Sequence, residues 1–221
     1  MAGPATGPVH LLHIRKTGGT ALKHALRQAI ADTLVVAHEH ATGLGDVAVG
    51  RRVAFVVRDP MTRFISGFNS RLRQGAPRYH VPWNAEEAAA FARFGTPAYL
   101  ADALAAGDPD ARKAMQAIRH VNSALADQLG GVDLLERRRT DIVFVGRQET
   151  LAADLPWLAR VLGLAELPAL PADDVLAHRT PPGMATGLSA AGEAAIRAHY
   201  QQDAAILRWC DAFRLAARNV R

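Results

Sequence analysis

Apolar positions fall into short continuous runs that alternate with stretches of helical spacing. Val9 to Ile14 (VHLLHI) runs straight into Lys16-Thr17-Gly18-Gly19-Thr20, which predicts a buried strand entering a glycine turn. From Thr20 to Ile30 the residues Ala21, Leu22, Ala25, Leu26, Ala29 and Ile30 recur at helical intervals. Leu34 to Ala37 predicts a second short strand, ending in His38-Glu39-His40. Val53 to Val57 (VAFVV) predicts a third, apolar enough to be covered on both faces. Asp59-Pro60 predicts a helix start, since aspartate caps free N–H groups and proline suits the first helical position. That helix carries Phe64, Ile65 and Phe68 on one side.

Gln74 to Asn84 reads as a loop, and Thr96-Pro97 and Asp108-Pro109 repeat the cap-and-proline signal. Ile142 to Val145 predicts a strand, Leu151 to Leu162 a helix, and Leu167 to Gly183 a proline-bearing ordered loop. From about Ser189 the pattern is amphipathic helix. Strands alternating with helices predict an α/β, three-layer fold with a mostly parallel central sheet flanked by helices. No internal repeat or linker divides the chain, so the expectation is a flexible tail over 1–8 and a single domain over 9–221.

At 49% hydrophobic and 21% charged residues, the composition is that of an ordinary globular domain and argues against disorder. The formal charge of +5 suits an anionic ligand, nucleic acid or an acidic membrane. The arginines are dispersed, however, and the one tight run, Arg137 to Arg139, reads as a solvated helix end. No nucleic-acid motif accompanies it. MAGPATGPVH lacks the pattern of a signal peptide, and no run approaches the ~20 apolar residues of a membrane helix. The expectation is therefore a soluble, cytoplasmic protein with no membrane span and no nucleic-acid partner. The lone Cys210 excludes an intrachain disulfide, and its place beside Ile206, Leu207 and Phe213 predicts a buried, inert thiol.

The chemistry concentrates where the first strands end. In an open α/β sheet, ligands gather at the carboxyl ends of the strands. Gly18 and Gly19 allow a turn whose N–H groups converge, and the following helix adds its unpaired donors and positive dipole end. Lys16 adds a cation, and Thr17 and Thr20 add hydroxyls, which together suit a phosphate or sulfate. GxxxxGK[ST] is absent, which counts against an ordinary P-loop kinase or NTPase. Arg58 ends the next strand, and Ser66 follows two turns later; a guanidinium fork with a hydroxyl fits a terminal phosphate.

HIRKTGGTAL (13–22) resembles the 5′-phosphosulfate loop of the sulfotransferase superfamily, and RDPMTRFISGF (58–68) resembles its 3′-phosphate motif. The closest form is the carbohydrate branch that includes heparan sulfate 2-O-sulfotransferase and the bacterial-type family 2 domain. VFVGRQETL (143–151) resembles a late strand of that family more weakly. The resemblance implies a P-loop-like sulfotransferase fold that uses 3′-phosphoadenosine 5′-phosphosulfate (PAPS) as co-substrate and no metal. It assigns Lys16, Thr17, Gly18, Gly19 and Thr20 to the 5′-phosphosulfate, and Arg58 and Ser66 to the 3′-phosphate. Arg15 stands where the family commonly has proline, and it adds a cation near the phosphates.

Sulfuryl transfer needs a base for the acceptor hydroxyl, and histidine titrates near the working pH. The family carries a His-x-His in the stretch corresponding to His38-Glu39-His40, its second histidine being the usual base. This implies His40 as base with His38 supporting, Lys16 stabilising the leaving phosphate, and Glu39 as an ion-pair partner. His10 and His13 read as packed strand residues. The loop bearing Arg73, Arg78, Tyr79, His80 and Trp83 would suit an anionic sugar, though also a phenol, a lipid headgroup or simple packing. His178-Arg179-Thr180 either closes over the donor or lies at the surface. The expected acceptor is a small molecule or saccharide. The alternatives are an atypical nucleotide-dependent kinase, a non-catalytic phosphonucleotide-binding module and a basic nucleic-acid binder.

Overall fold

A computed structural model describes residues 7–177 and 179–219. In chain order its elements are β1 (Val9–Leu11), α1 (Gly19–Ala25), α2 (Arg27–Ala31), β2 (Val35–Ala37), β3 (Arg52–Val57), α3 (Pro60–Leu72), α4 (Ala85–Arg93), α5 (Pro97–Ala105), α6 (Pro109–Ala117), α7 (Ala126–Leu129), α8 (Gly131–Arg137), β4 (Ile142–Arg147), α9 (Leu151–Leu162), α10 (Asp174–Ala177), α11 (Ala190–His199) and α12 (Gln201–Asn219). They fall into two compact units. The first comprises the chain up to Arg58, Leu125–Ala172 and the segment from Gln202 on; the second comprises Asp59–Ala124 and Asp173–Gln201.

The first unit holds a four-stranded, all-parallel sheet in the order β2-β1-β3-β4, flanked by helices, as an α/β reading requires. β3 is covered on both faces, with Val53 through Val57 at most 1% exposed, which is why its sequence is a continuous apolar run. Phe55, Phe144 and Trp157 pack with Leu22, Leu26, Ile206 and Cys210 into one core. Burial pushes the Cys210 thiol up to about 12, so it is inert as expected.

β1 is shorter than its apolar run, although Leu12 N–H still bonds to the Ala54 carbonyl. The expected helix from Thr20 to Ile30 is divided at Leu26, whose ψ of 5° departs from helical geometry. Leu26 and Ile30 nevertheless keep their bonds to Leu22 and Leu26. Among the arginines at 137–139, the middle one departs from the expected solvated end. Arg138 is buried, with Nε on Asp141 at 2.6 Å and the other nitrogens on the carbonyls of Leu44, Val47 and Ala48.

The second unit is helical. Asp59 accepts from the N–H groups of Met61 and Thr62 to start α3, while Thr96 and Asp108 cap α5 and α6 with proline in the first turn. Phe64, Phe68, Leu100, Met115 and Ile196 form its interior. Among the described residues no helix is long and apolar enough to cross a membrane.

Candidate functional site

The strand order places the site. From β1 the chain moves outward to β2, and from β3 it moves the other way to β4, so β1 and β3 flank the point where strand succession reverses. Ligand crevices in open α/β sheets form at such points, beyond the carboxyl ends of the strands. The glycine turn follows β1 and Arg58 follows β3, and Arg58 Nη1 donates to the Lys16 carbonyl at 3.2 Å. Of the sequence-derived residues, the structure thus joins Lys16 and Arg58 directly.

The turn has unusual backbone. Lys16 has φ 62° and Gly18 φ 88°, both left-handed, and left-handed residues in a tight turn build anion-binding concavities. Gly19 is required for another reason: a Cβ there would lie 2.3 Å from His13 Cδ2. Thr17 is buried, and its hydroxyl donates to the Ile14 carbonyl at 3.0 Å. The Thr17 side chain therefore braces the turn from within. Gly18 faces Gln148 and Leu151, which follow β4. Arg15 and Thr20 stand partly exposed at the two sides of the turn.

Four of the histidines form two ring pairs, His10–His38 stacked and His13–His40 tilted by 33°. His13 and His40 have ring centroids 3.8 Å apart, and His10 and His38 5.2 Å apart. The members of each pair play different parts. His40 Nδ1 lies 2.9 Å from the His13 carbonyl oxygen. A carbonyl can only accept, so His40 carries its proton on Nδ1 and the neutral ring has its lone pair at Nε2. Burial lowers the His40 pKa; the bond to the His13 carbonyl and Glu39 partly offset this, and Arg15 and Lys23 lower it further. His38 Nε2 is instead engaged with His10 Nδ1 at 2.9 Å, and burial, then Lys23, lowers its pKa. His10 is lowered by burial, by His38 and by Arg51. Glu39 pairs with Lys23 at 2.9 Å, the ion-pair role expected of it.

His13 was expected only as a packed strand residue. It lies beyond the ladder, with its ring over the turn and its carbonyl fixing the His40 tautomer. Gln128 on α7 had no sequence signal at all. Its Oε1 accepts from the Arg15 N–H at 3.0 Å, and its Nε2 donates to the carbonyls of His13 and His40 at 3.3 and 3.1 Å. No local motif marks a glutamine 88 to 115 residues from its partners.

In the second unit, Ser66 lies partly exposed on the second turn of α3. Arg73 donates to the carbonyls of Ala76 and Arg179, and Arg78 to that of Leu176. Trp83 donates to the Arg71 carbonyl at 2.6 Å and stacks on Phe91. Tyr79 covers Gly75, where a Cβ would lie 2.0 Å from its ring, and His80 is exposed. His178 lies outside the described residues. A groove of about 570 Å³ between α4 and α6 contains none of these residues, and Arg93, Asp110 and Lys113 on its walls are engaged in ion pairs. No family model, curated protein or solved structure matches the chain.

Proposed function

We propose that the protein transfers a sulfuryl group from PAPS to a hydroxyl acceptor, as a sulfotransferase of P-loop-like fold. The observation that carries the reading is the juxtaposition of a left-handed glycine turn, covered by the His13 ring, with a histidine whose Nδ1 is bonded to the His13 carbonyl. The turn fits a 5′-phosphosulfate: Lys16, Gly18 and Gly19 shape it, and Arg58 is bonded to its backbone. Arg58 is assigned to the 3′-phosphate.

In this reaction His40 Nε2 takes the proton of the acceptor hydroxyl while its oxygen attacks sulfur. A new S–O bond forms, the bond from sulfur to the 5′-phosphate oxygen breaks, and 3′-phosphoadenosine 5′-phosphate leaves. Lys16 balances the charge that develops on the leaving phosphate. The depressed pKa of His40 keeps the ring unprotonated at neutral pH, the state a base needs. His38 suits that task less well, because a proton taken up there would face the neighbouring His10 ring. A saccharide is the proposed acceptor, on the resemblance to the carbohydrate branch alone.

Calorimetric titration with 3′-phosphoadenosine 5′-phosphate, ATP and AMP in the presence of a chelator tests the donor. The expected result is binding that requires the 3′-phosphate. A preference for ATP with magnesium would overturn the reading in favour of a kinase.

A further inference from the structure

Gln128 ties the glycine turn to the histidine segment, and we infer that it is a positioning residue of the site, an inference that rests on His40 being the base of the proposed reaction. A primary amide offers two N–H donors and one acceptor oxygen. Gln128 applies all three to backbone of the site: oxygen to the Arg15 N–H, nitrogen to the carbonyls of His13 and His40. The orientation is fixed by chemistry. A flipped amide would set NH₂ against an N–H donor and oxygen against two carbonyls. Glutamate lacks the donors, and asparagine is one methylene shorter.

A second observation bears on the same docking. A Cβ on Gly43 would lie 2.8 Å from the Gln128 backbone oxygen, so the chain just after His40 passes against the main chain of Gln128 as well as its amide. Gln128 is only 5% exposed, so water does not readily take the place of these bonds. The His13 carbonyl accepts from both the His40 ring and Gln128. His40 is thereby held twice, by its ring to the end of the first strand run and by its backbone to α7. Without the amide, the His40 and His13 carbonyls and the Arg15 N–H lose their common anchor on α7, and a shift of about 1 Å in a reacting group costs on the order of 100-fold in rate.

The test combines kinetics with long-range ¹⁵N–¹H correlation of the histidine rings. In the wild type, His40 is expected as the Nδ1–H tautomer, and the Gln128 side-chain NH₂ protons are expected to exchange slowly. Gln128→Met keeps the volume and removes every bond. It should move the His40 signal towards a tautomer mixture and lower kcat by about 100-fold. Gln128→Glu retains only the acceptor and should give the same changes. An unmoved His40 signal and unchanged kcat in either variant overturn the inference. If neither variant folds, an Nε2–H tautomer of His40 or fast-exchanging Gln128 NH₂ protons in the wild type overturn it. A displaced His40 signal in Gln128→Met, with no sulfuryl transfer by the wild type, would uphold the anchoring while overturning the sulfotransferase reading.

Discussion

At the scale of single residues, His40 is the histidine whose ring nitrogen meets a backbone carbonyl. Its Nδ1 hydrogen is committed to a backbone carbonyl, which leaves the basic lone pair on Nε2. His40→Ala should lower kcat by roughly 10²–10⁴-fold, the usual worth of a general base, while donor affinity stays near the wild-type value. His38→Ala should cost less, because its Nε2 is engaged with His10. The pH profile of kcat/KM follows from the same ring. A base works unprotonated, and the His40 pKa is lowered from 6.5, so activity should be level near neutrality and fall only as pH drops below 6.5. Steady-state kinetics across that range check both statements, and a falling limb that persists in His40→Ala would assign the titration to another group.

At the scale of elements, Arg138 sets the sharpest expectation. Its guanidinium is buried, paired with Asp141, and bonded to three carbonyls of the segment at 44–48, which it holds against the start of β4. Removing one partner of a buried pair strands the other, so Arg138→Ala should cost about 3–5 kcal/mol in urea unfolding. Arg137→Ala, at an exposed position, should stay within roughly 0.5 kcal/mol. The contrast also shows what the sequence could reveal. Elements were legible where local chemistry decides them: the apolar run of β3, the Asp59, Thr96 and Asp108 caps, the glycine turn after β1. The burial of Arg138 was not, because it depends on carbonyls about 90 residues away. Gln128 was hidden for the same reason, and so was the role of His13, which comes from leaving the strand one residue beyond Leu12. The break at Leu26 leaves no trace in the sequence because the apolar spacing continues through it.

For the molecule as a whole, the partly buried histidines and one carboxylate predict how stability follows pH. Burial is the leading cause that lowers the pKa of His10, His38, His40 and His199 below 6.5. The unfolded chain therefore takes up protons at a pH where the folded chain does not, and stability present above 6.5 declines as pH falls through the folded values. Glu87 acts lower on the scale. It is fully buried against Arg71 at 2.6 Å, and the Arg71 and Arg119 groups overcome its burial to hold its carboxyl at about 2, against 4.5 when free. Its contribution is complete above 4.5 and lost as pH falls towards 2. Urea midpoints measured from neutral pH downward should thus fall in two stages, with Glu87→Gln flattening the second and leaving the first. Rising positive charge on a chain already at +5 also destabilises it in acid, but that repulsion is screened by salt whereas burial of a histidine is not. Repeating the series at roughly 0.5 M salt separates the two causes. A first stage that survives the salt belongs to the partly buried histidines, and one that vanishes would assign the decline to net charge alone.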